Sequence, residues 1–484
     1  MSFNNKTNKD TNNDTNNDTN NDTNKDTNKD TKDIEGTYTR NLGFFDLFFA
    51  GYGFIIGAGI FTLVAYVLTY GKGSTWMAFV IGGIICGLTG MGYAKLNAYF
   101  PTNDAEYIWI MKILNPSTHQ NKSTHQNQIV KYFANIVIWI VMLIGLFTAA
   151  TIVVGQSNFI RSYYKINKIL LIGLLILFPT IVNMLGNTYT TGLNKTIMII
   201  VTLGFFLLYG IAGKKSKYIK QVDLIPKSTK FKDLIHSSYI TIFAYNGFQS
   251  IVQLSEEAKN VNDVPKSIIA SLSFSTIIYS LIAISIIALI GVKKGADSVS
   301  PISDAFSVSL GKRGKDFVNI IAIIALTNTF LIATLSRSRL LHKLSVRGIA
   351  PKFLGKLTSL KKVFGLENFT NNNKEKQVNK QTTLPLASII SVSIVTFFLT
   401  FIKKGAIEAL AKITNGFIYF IFTVVNLLVL IYHFKRKTPE EETNIKNVEK
   451  EMPVLKGFPW YSVLGLICSI TYLFLSPRYL RNLK

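Results

Sequence analysis

The residues best placed to do chemistry in this chain are glycines within an apolar run, not acids, bases or thiols. In "GYGFIIGAGIFTL", residues 51 to 63, Gly51, Gly53, Gly57 and Gly59 interrupt a stretch long enough to cross a membrane. Each glycine in a helix interior costs about 1 kcal/mol relative to alanine, so the cluster needs a purpose. One purpose is a break. A helix interrupted at mid-membrane exposes N–H and C=O groups, which is tolerated where they line a cavity or meet a ligand, and glycine permits non-helical backbone and close approach. The other purpose is close helix packing, for which Gly53 and Gly57 have GxxxG spacing. The motif alone leaves both open.

A second interruption near Asn246 and Gly247, in "FAYNGFQSIVQLSEEAKN", shifts the balance. Two broken apolar segments at corresponding positions of two halves point to a secondary transporter with inverted repeats and a mid-membrane site. Half-helix N-termini attract an anionic group and freed carbonyls accept hydrogen bonds from a cationic one. A carboxylate and an ammonium on one small molecule describe an amino acid.

Little else in the chain competes. Cys86 and Cys468 lie in apolar runs and provide neither a disulfide framework nor a Cys-ligated metal site. His119 and His125 belong to a duplicated loop, "STHQNKSTHQNQ" at 117–128. No GxxxxGK[ST] or soluble domain suggests an enzyme, so neither metal nor cofactor is expected. Ionisable groups of the apolar runs, Asp46, Lys195, Glu256, Glu257 and Glu408, sit near their ends, with none at mid-span.

The elements that must hold these breaks are membrane helices. Of 484 residues 48% are hydrophobic, and mean hydropathy is +0.29. Eleven apolar runs have membrane-spanning length: 44–69, 76–98, 132–156, 167–186, 194–213, 237–255, 267–292, 316–335, 384–402, 408–433 and 457–476. Without barrel-like alternation they must be helices. The net charge of +25 sits mostly in Lys and Arg between runs, which suits membrane-flanking loops and not nucleic acid. Their bias favours a cytoplasmic N-terminus, although seven lysines between runs five and six oppose it.

The organisation expected is a disordered tail over 1–40, with the repeat "DTNNDTNNDTNNDTNKDTNKD", then a five-helix repeat over 41–213. A Lys-rich connection over 214–236, a second five-helix repeat over 237–433 and a loop plus helix 11 over 434–484 complete it. No secretory signal peptide is visible, so the first helix is expected to direct insertion.

The segments "IIGAGIF", "FAYNGFQSIVQLSEEAKNVNDVPKSI" (243–268) and "SRSRLLHKLSVRGIAPKFLGKL" (336–357) resemble three signature regions of the amino acid–polyamine–organocation permeases. The resemblance covers roughly 41–433 and implies an all-α leucine-transporter-type fold, with discontinuous helices 1 and 6. It further implies that Ile56, Gly57, Ala58 and Gly59 offer N–H groups to the substrate carboxylate. Phe243, Ala244 and Tyr245 would offer carbonyls to its amino group beside the break at Asn246 and Gly247, with Phe243 as an aromatic lid. Thr202 aligns where some proton-coupled relatives carry a lysine. With Thr327, Asn328, Thr329 and helix 1 carbonyls it would either hold a small cation or bond across helices. Lys95 stands where relatives usually have glutamate, and "NDA" replaces their "SGG". Relatives commonly have twelve helices where eleven runs appear here.

At the cytoplasmic end, Glu256 and Glu257 are complementary in charge to Arg337 and Arg339 at similar predicted depth, which suits either an inner gate or exposed surface pairs worth about 0–1 kcal/mol. The function expected is a secondary-active carrier for amino acids, in the bilayer, driven by a coupled ion or counter-substrate. Neutral substrates are favoured because no mid-membrane carboxylate waits for a cationic side chain. A cationic amino acid or polyamine exchanger, and a transport-inactive sensor, are the alternatives.

Overall fold

The computed structural model describes residues 40–115, 125–161, 163–226, 229–359, 383–401, 407–435 and 437–481. The expected disordered tail and most of the loop expansions at 117–128 and 367–381 lie outside these residues. Within them, each of the eleven apolar runs is helical over most of its length, as backbone deprived of water requires.

The first run divides into α1 (Phe44–Ile55) and α2 (Ala58–Gly71). There follow α3 (Thr75–Tyr99), a short α4 (Ala105–Leu114), α5 (His125–Arg161), α6 (Lys168–Met184) and α7 (Asn187–Lys215). The sixth run divides into α8 (Phe231–Tyr245) and α9 (Gln249–Val252). The remainder are α10 (Asp263–Ile290), α11 (Val292–Asp297), α12 (Pro301–Val346), α13 (Leu386–Leu399), α14 (Ile407–Phe434), α15 (Pro439–Glu451) and α16 (Trp460–Arg481). Thr358–Ser359 pairs antiparallel with Thr383–Leu384 beside α13.

Among the described residues, seven helical segments are long and apolar enough to cross a membrane, and three shorter apolar helices accompany them. The helices sort into two packed groups. In one, α2 lies along α8, α3 against both α8 and α10, and α1 against α10. In the other, α5, α6, α12 and α13 pack on one another. α1 and α7 meet α12 where the groups join, and α14 pairs with α16 while packing on α5. This is the leucine-transporter-type architecture of a multi-pass membrane protein.

Three features depart from the sequence reading. The eighth run, expected over 316–335, belongs to the 46-residue α12, bent at Gly311 (φ +55°). The charged Lys312, Arg313 and Lys315 fall between apolar runs in sequence, yet lie in the helix beyond that bend. α4 falls between the second and third apolar runs and α15 in the stretch expected as a loop, yet both are helical. The start of α15 carries a capping box: Thr438 Oγ1 accepts from Glu441 N at 3.3 Å, while the Glu441 carboxylate accepts from Thr438 N at 2.9 Å.

Candidate functional site

Two helix breaks lie side by side in the middle of the packed helices. At the first, Ile56 is extended (φ −77°, ψ 92°) and Gly57 precedes α2, whose first intrahelical bond runs from Phe61 N to Gly57 O at 3.2 Å. The N–H groups of Ala58, Gly59 and Ile60 come before that bond, so this half-helix start has donors to offer. At the second break Asn246 is extended and Gly247 has φ +144°, a conformation L side chains rarely adopt.

Small residues set the spacing. A Cβ on Gly59 would fall 2.3 Å from Ala244 Cα, so the two breaks touch. A Cβ on Gly57 would fall 1.7 Å from Thr329 Oγ1, and one on Gly53 would fall 2.1 Å from Asn194 Oδ1. Both readings of the glycine cluster therefore hold at once: the chain breaks there, and its glycines admit close neighbours.

Tyr279 of α10, which the sequence reading missed, joins the breaks. Its buried hydroxyl lies 2.5 Å from Ile55 O and 3.1 Å from Ala244 O. A phenol within an apolar run reads as packing, and only the fold brings it to carbonyls from both segments. Asn246 donates from Nδ2 to Thr148 Oγ1 at 2.8 Å, while its buried Oδ1 has no hydrogen-bond partner among the described residues. Phe243 is buried, and its carbonyl accepts from Asn246 N at 3.2 Å. Tyr245 turns toward α3, donating to Phe79 O at 2.8 Å.

The residues read together as an ion or polar site have separate partners. Thr202 Oγ1 is 2.9 Å from the Tyr52 hydroxyl. Thr327 Oγ1 accepts from Gln156 Nε2 at 2.6 Å, and Asn328 Nδ2 donates to Asn194 Oδ1 at 2.8 Å. Thr329 is the residue that reaches the break: its hydroxyl lies 3.0 Å from Gly53 O, 3.4 Å from Ile56 O and 3.0 Å from Ala325 O. Such all-oxygen surroundings suit a hard cation. Among the described residues no group of three His, Cys, Asp or Glu side chains could hold a metal.

On the side where residue 40 enters α1, a charged clamp joins the two groups. Arg339 Nε meets Glu257 Oε1 at 2.9 Å with both side chains fully buried, and Lys343 Nζ meets Glu256 Oε2 at 2.7 Å. Asp104 pairs with Arg347, whose guanidinium lies 5.4 Å from the Tyr107 ring centroid. The backbone joins in: Asn41 N and Leu42 N both donate to Glu257 O at 3.0 Å, and Lys259 N donates to Leu42 O at 2.8 Å. Arg337 stands apart from Glu256 and Glu257. Helical spacing turns it instead toward α4 and α5, with Glu106 within electrostatic reach. Burial raises the Glu106 carboxyl above its usual range, against the opposing pull of its hydrogen bonds and of Arg337. Lys95 finds a partner of a different kind from an acid, donating to Leu455 O at 2.9 Å and Gly457 O at 3.1 Å.

Comparison with known proteins bears on the family and the fold. The family model described as amino acid permease matches residues 42–482. The branched-chain amino acid permease BcaP of Bacillus subtilis is 24% identical over 67% of this chain and 70% of its own. The methylthioribose transporter of Bacillus subtilis is 25% identical over 74% of this chain and 81% of its own. The vacuolar cationic amino acid transporter 8 of Arabidopsis thaliana is 22% identical over 84% of this chain and 66% of its own. Among solved structures, Mhp1, a nucleobase-cation-symport-1 family transporter in a closed conformation with bromovinylhydantoin bound, superposes with a TM-score of 0.56. That match is 11% identical and covers 93% of this chain and 95% of the other.

Proposed function

The chain belongs to the amino acid permease family, and we propose on that footing that it is a secondary carrier which holds an amino acid between its two helix breaks and alternates access around them. One observation carries the reading: the breaks touch at Gly59 and Ala244, share the Tyr279 hydroxyl, and leave Asn246 Oδ1 buried without a partner among the described residues. The N–H groups opening α2 suit a carboxylate. The carbonyls near Ala244, with Asn246 Oδ1, suit an ammonium.

Tyr279 is the stand-in for that ammonium. Its hydroxyl caps carbonyls which a substrate would otherwise engage, and leaving buried acceptors unpaired costs about 1–3 kcal/mol each. Substrate entry therefore exchanges one donor for another, with Tyr279 moving aside. Because the side chains placed against the breaks include no carboxylate among the described residues, we favour neutral, apolar amino acids over cationic ones. A coupled cation would sit among Gly53 O, Ile56 O, Ala325 O and Thr329 Oγ1. The clamp of Glu256, Glu257, Arg339 and Lys343 would open when the site faces the N-terminal side, which Lys and Arg bias suggests is cytoplasmic.

Counterflow in liposomes tests this. Purified protein is loaded with each of the twenty amino acids or putrescine in turn, and entry of a labelled mixture is followed without an ion gradient. Trans-stimulation by apolar amino acids, lost in Gly57→Leu, is expected. Stimulation by lysine, arginine or putrescine alone would move the substrate class, and no stimulation by any of them would favour a transport-inactive sensor.

A further inference from the structure

Four basic side chains follow one another down the last turns of α12 and just past its end, and three have acidic partners: Arg339 with Glu257, Lys343 with Glu256, and Arg347 with Asp104. The fourth does not close such a pair. Arg337 is 2% exposed, and its Nε and Nη1 have no hydrogen-bond partner among the described residues. Its guanidinium lies on the backbone of Gly145, where a Cβ would fall 1.8 Å from Nε. Nearby is the buried Glu106, which accepts the Tyr93 hydroxyl at 2.9 Å and acts on the Arg337 charge without forming an ion pair with it.

A buried guanidinium with unused donors is costly unless something meets it in another state of the protein. Its position says what. Gly145 is one turn of α5 from Thr148, the hydrogen-bond partner of Asn246 at the second break. Arg337 is eight residues beyond Thr329, the residue that touches the first break, or about 12 Å along α12. Along α12, Arg337 thus comes between Thr329 at the first break and Arg339 of the charged clamp, two residues further on. A guanidinium and a carboxylate held near each other but unjoined match a ligand that carries the opposite charges in the same order.

We infer that Arg337 and Glu106 form a transit site for the zwitterionic head group of the substrate. Arg337 takes the α-carboxylate through a forked contact and Glu106 takes the α-ammonium, as the amino acid passes to or from the N-terminal side. Tyr93 holds the Glu106 carboxyl in place. The inference rests on the amino acid carrier reading above.

The test measures exchange in liposomes at saturating substrate, alongside equilibrium binding at the central site. Wild type is compared with Arg337→Gln, Glu106→Gln, the double variant and Arg337→Lys. Each single neutral variant should slow exchange about tenfold, the worth of one charge-assisted hydrogen bond, while central binding stays within twofold. The double variant should be as slow or slower, and Arg337→Lys, which keeps the charge without the fork, should be intermediate. Recovery of wild-type exchange in the double variant would overturn the proposal, because two charges that only neutralise each other are dispensable together. Wild-type rates in both single variants would overturn it as well. If Arg337→Gln does not fold, Glu106→Gln and Arg337→Lys carry the same comparison. Absence of amino acid exchange by the wild-type protein would instead defeat the carrier reading itself.

Discussion

The two helix breaks do similar work by different physical means. The break between α1 and α2 has no residue with positive φ, and its glycines matter because neighbours crowd where their Cβ atoms would be: Thr329 at Gly57, Ala244 at Gly59, Asn194 at Gly53. The break between α8 and α9 depends on backbone conformation, since Gly247 has φ +144°, and also on the Phe54 ring, 2.1 Å from where its Cβ would lie. One break is kept by packing, the other by packing and conformation together. Glycine alone is thus a poor guide to mechanism: the same residue type answers to different neighbours at each site.

Variants separate these causes. The largest effect is expected at Gly57. Leucine there overlaps Thr329 beyond what a rotamer change relieves, and counterflow should fall to background, whereas the account of a packing-kept break fails if transport persists. Next is Gly247→Ala. A φ of +144° is sparsely populated by non-glycine residues and costs them about 1–3 kcal/mol, and the Phe54 overlap adds to it. In a Phe54→Ala background, itself destabilised by loss of a buried ring, Gly247→Ala should still lower thermal stability, by less than it does in wild type. No further loss in that background would show that conformation is not the constraint.

Tyr279→Phe probes what the breaks share. Losing the hydroxyl leaves Ile55 O and Ala244 O without that donor, a cost of about 1–3 kcal/mol in the substrate-free state. The bound state, in which the substrate ammonium replaces the hydroxyl, should lose less. Substrate-induced stabilisation, measured as a shift in Tm, should therefore be larger in Tyr279→Phe than in wild type. An unchanged or smaller shift would place the substrate elsewhere. The smallest effect is expected at Lys195→Ala. Its 3.6 Å contact with Asp46 at the start of α1 is partly exposed, and such pairs contribute about 0–1 kcal/mol. Thermal stability and counterflow should both stay near wild type, which makes it the control for the other three.

Much of this comparison was legible in the sequence, because backbone permissiveness is written in residue type. The runs around Gly57 and Gly247 gave both interruptions and the segments that carry the family resemblance. What stayed hidden is pairing across distance. Nothing local marks Tyr279 as the hydroxyl between Ile55 O and Ala244 O, and the four basic residues 337, 339, 343 and 347 look alike until helical rotation sends Arg337 one way and Arg339 another. Glu106 was overlooked because "PTNDAEY" reads as a connection, whereas α4 folds it into the protein. Lys95, noted only as a departure, is the anchor for carbonyls at Leu455 and Gly457, more than three hundred residues away. α15 was within reach of sequence reasoning: Thr438 and Glu441 have capping-box spacing.

The most direct test is a cryo-EM map of the protein with the amino acid that gives the strongest counterflow. Density is expected between residues 56–59 and 243–247, with the carboxylate toward the start of α2 and the Tyr279 hydroxyl displaced from Ile55 O and Ala244 O. Density away from both breaks, with Tyr279 still bridging them in a transport-competent sample, would contradict that placement.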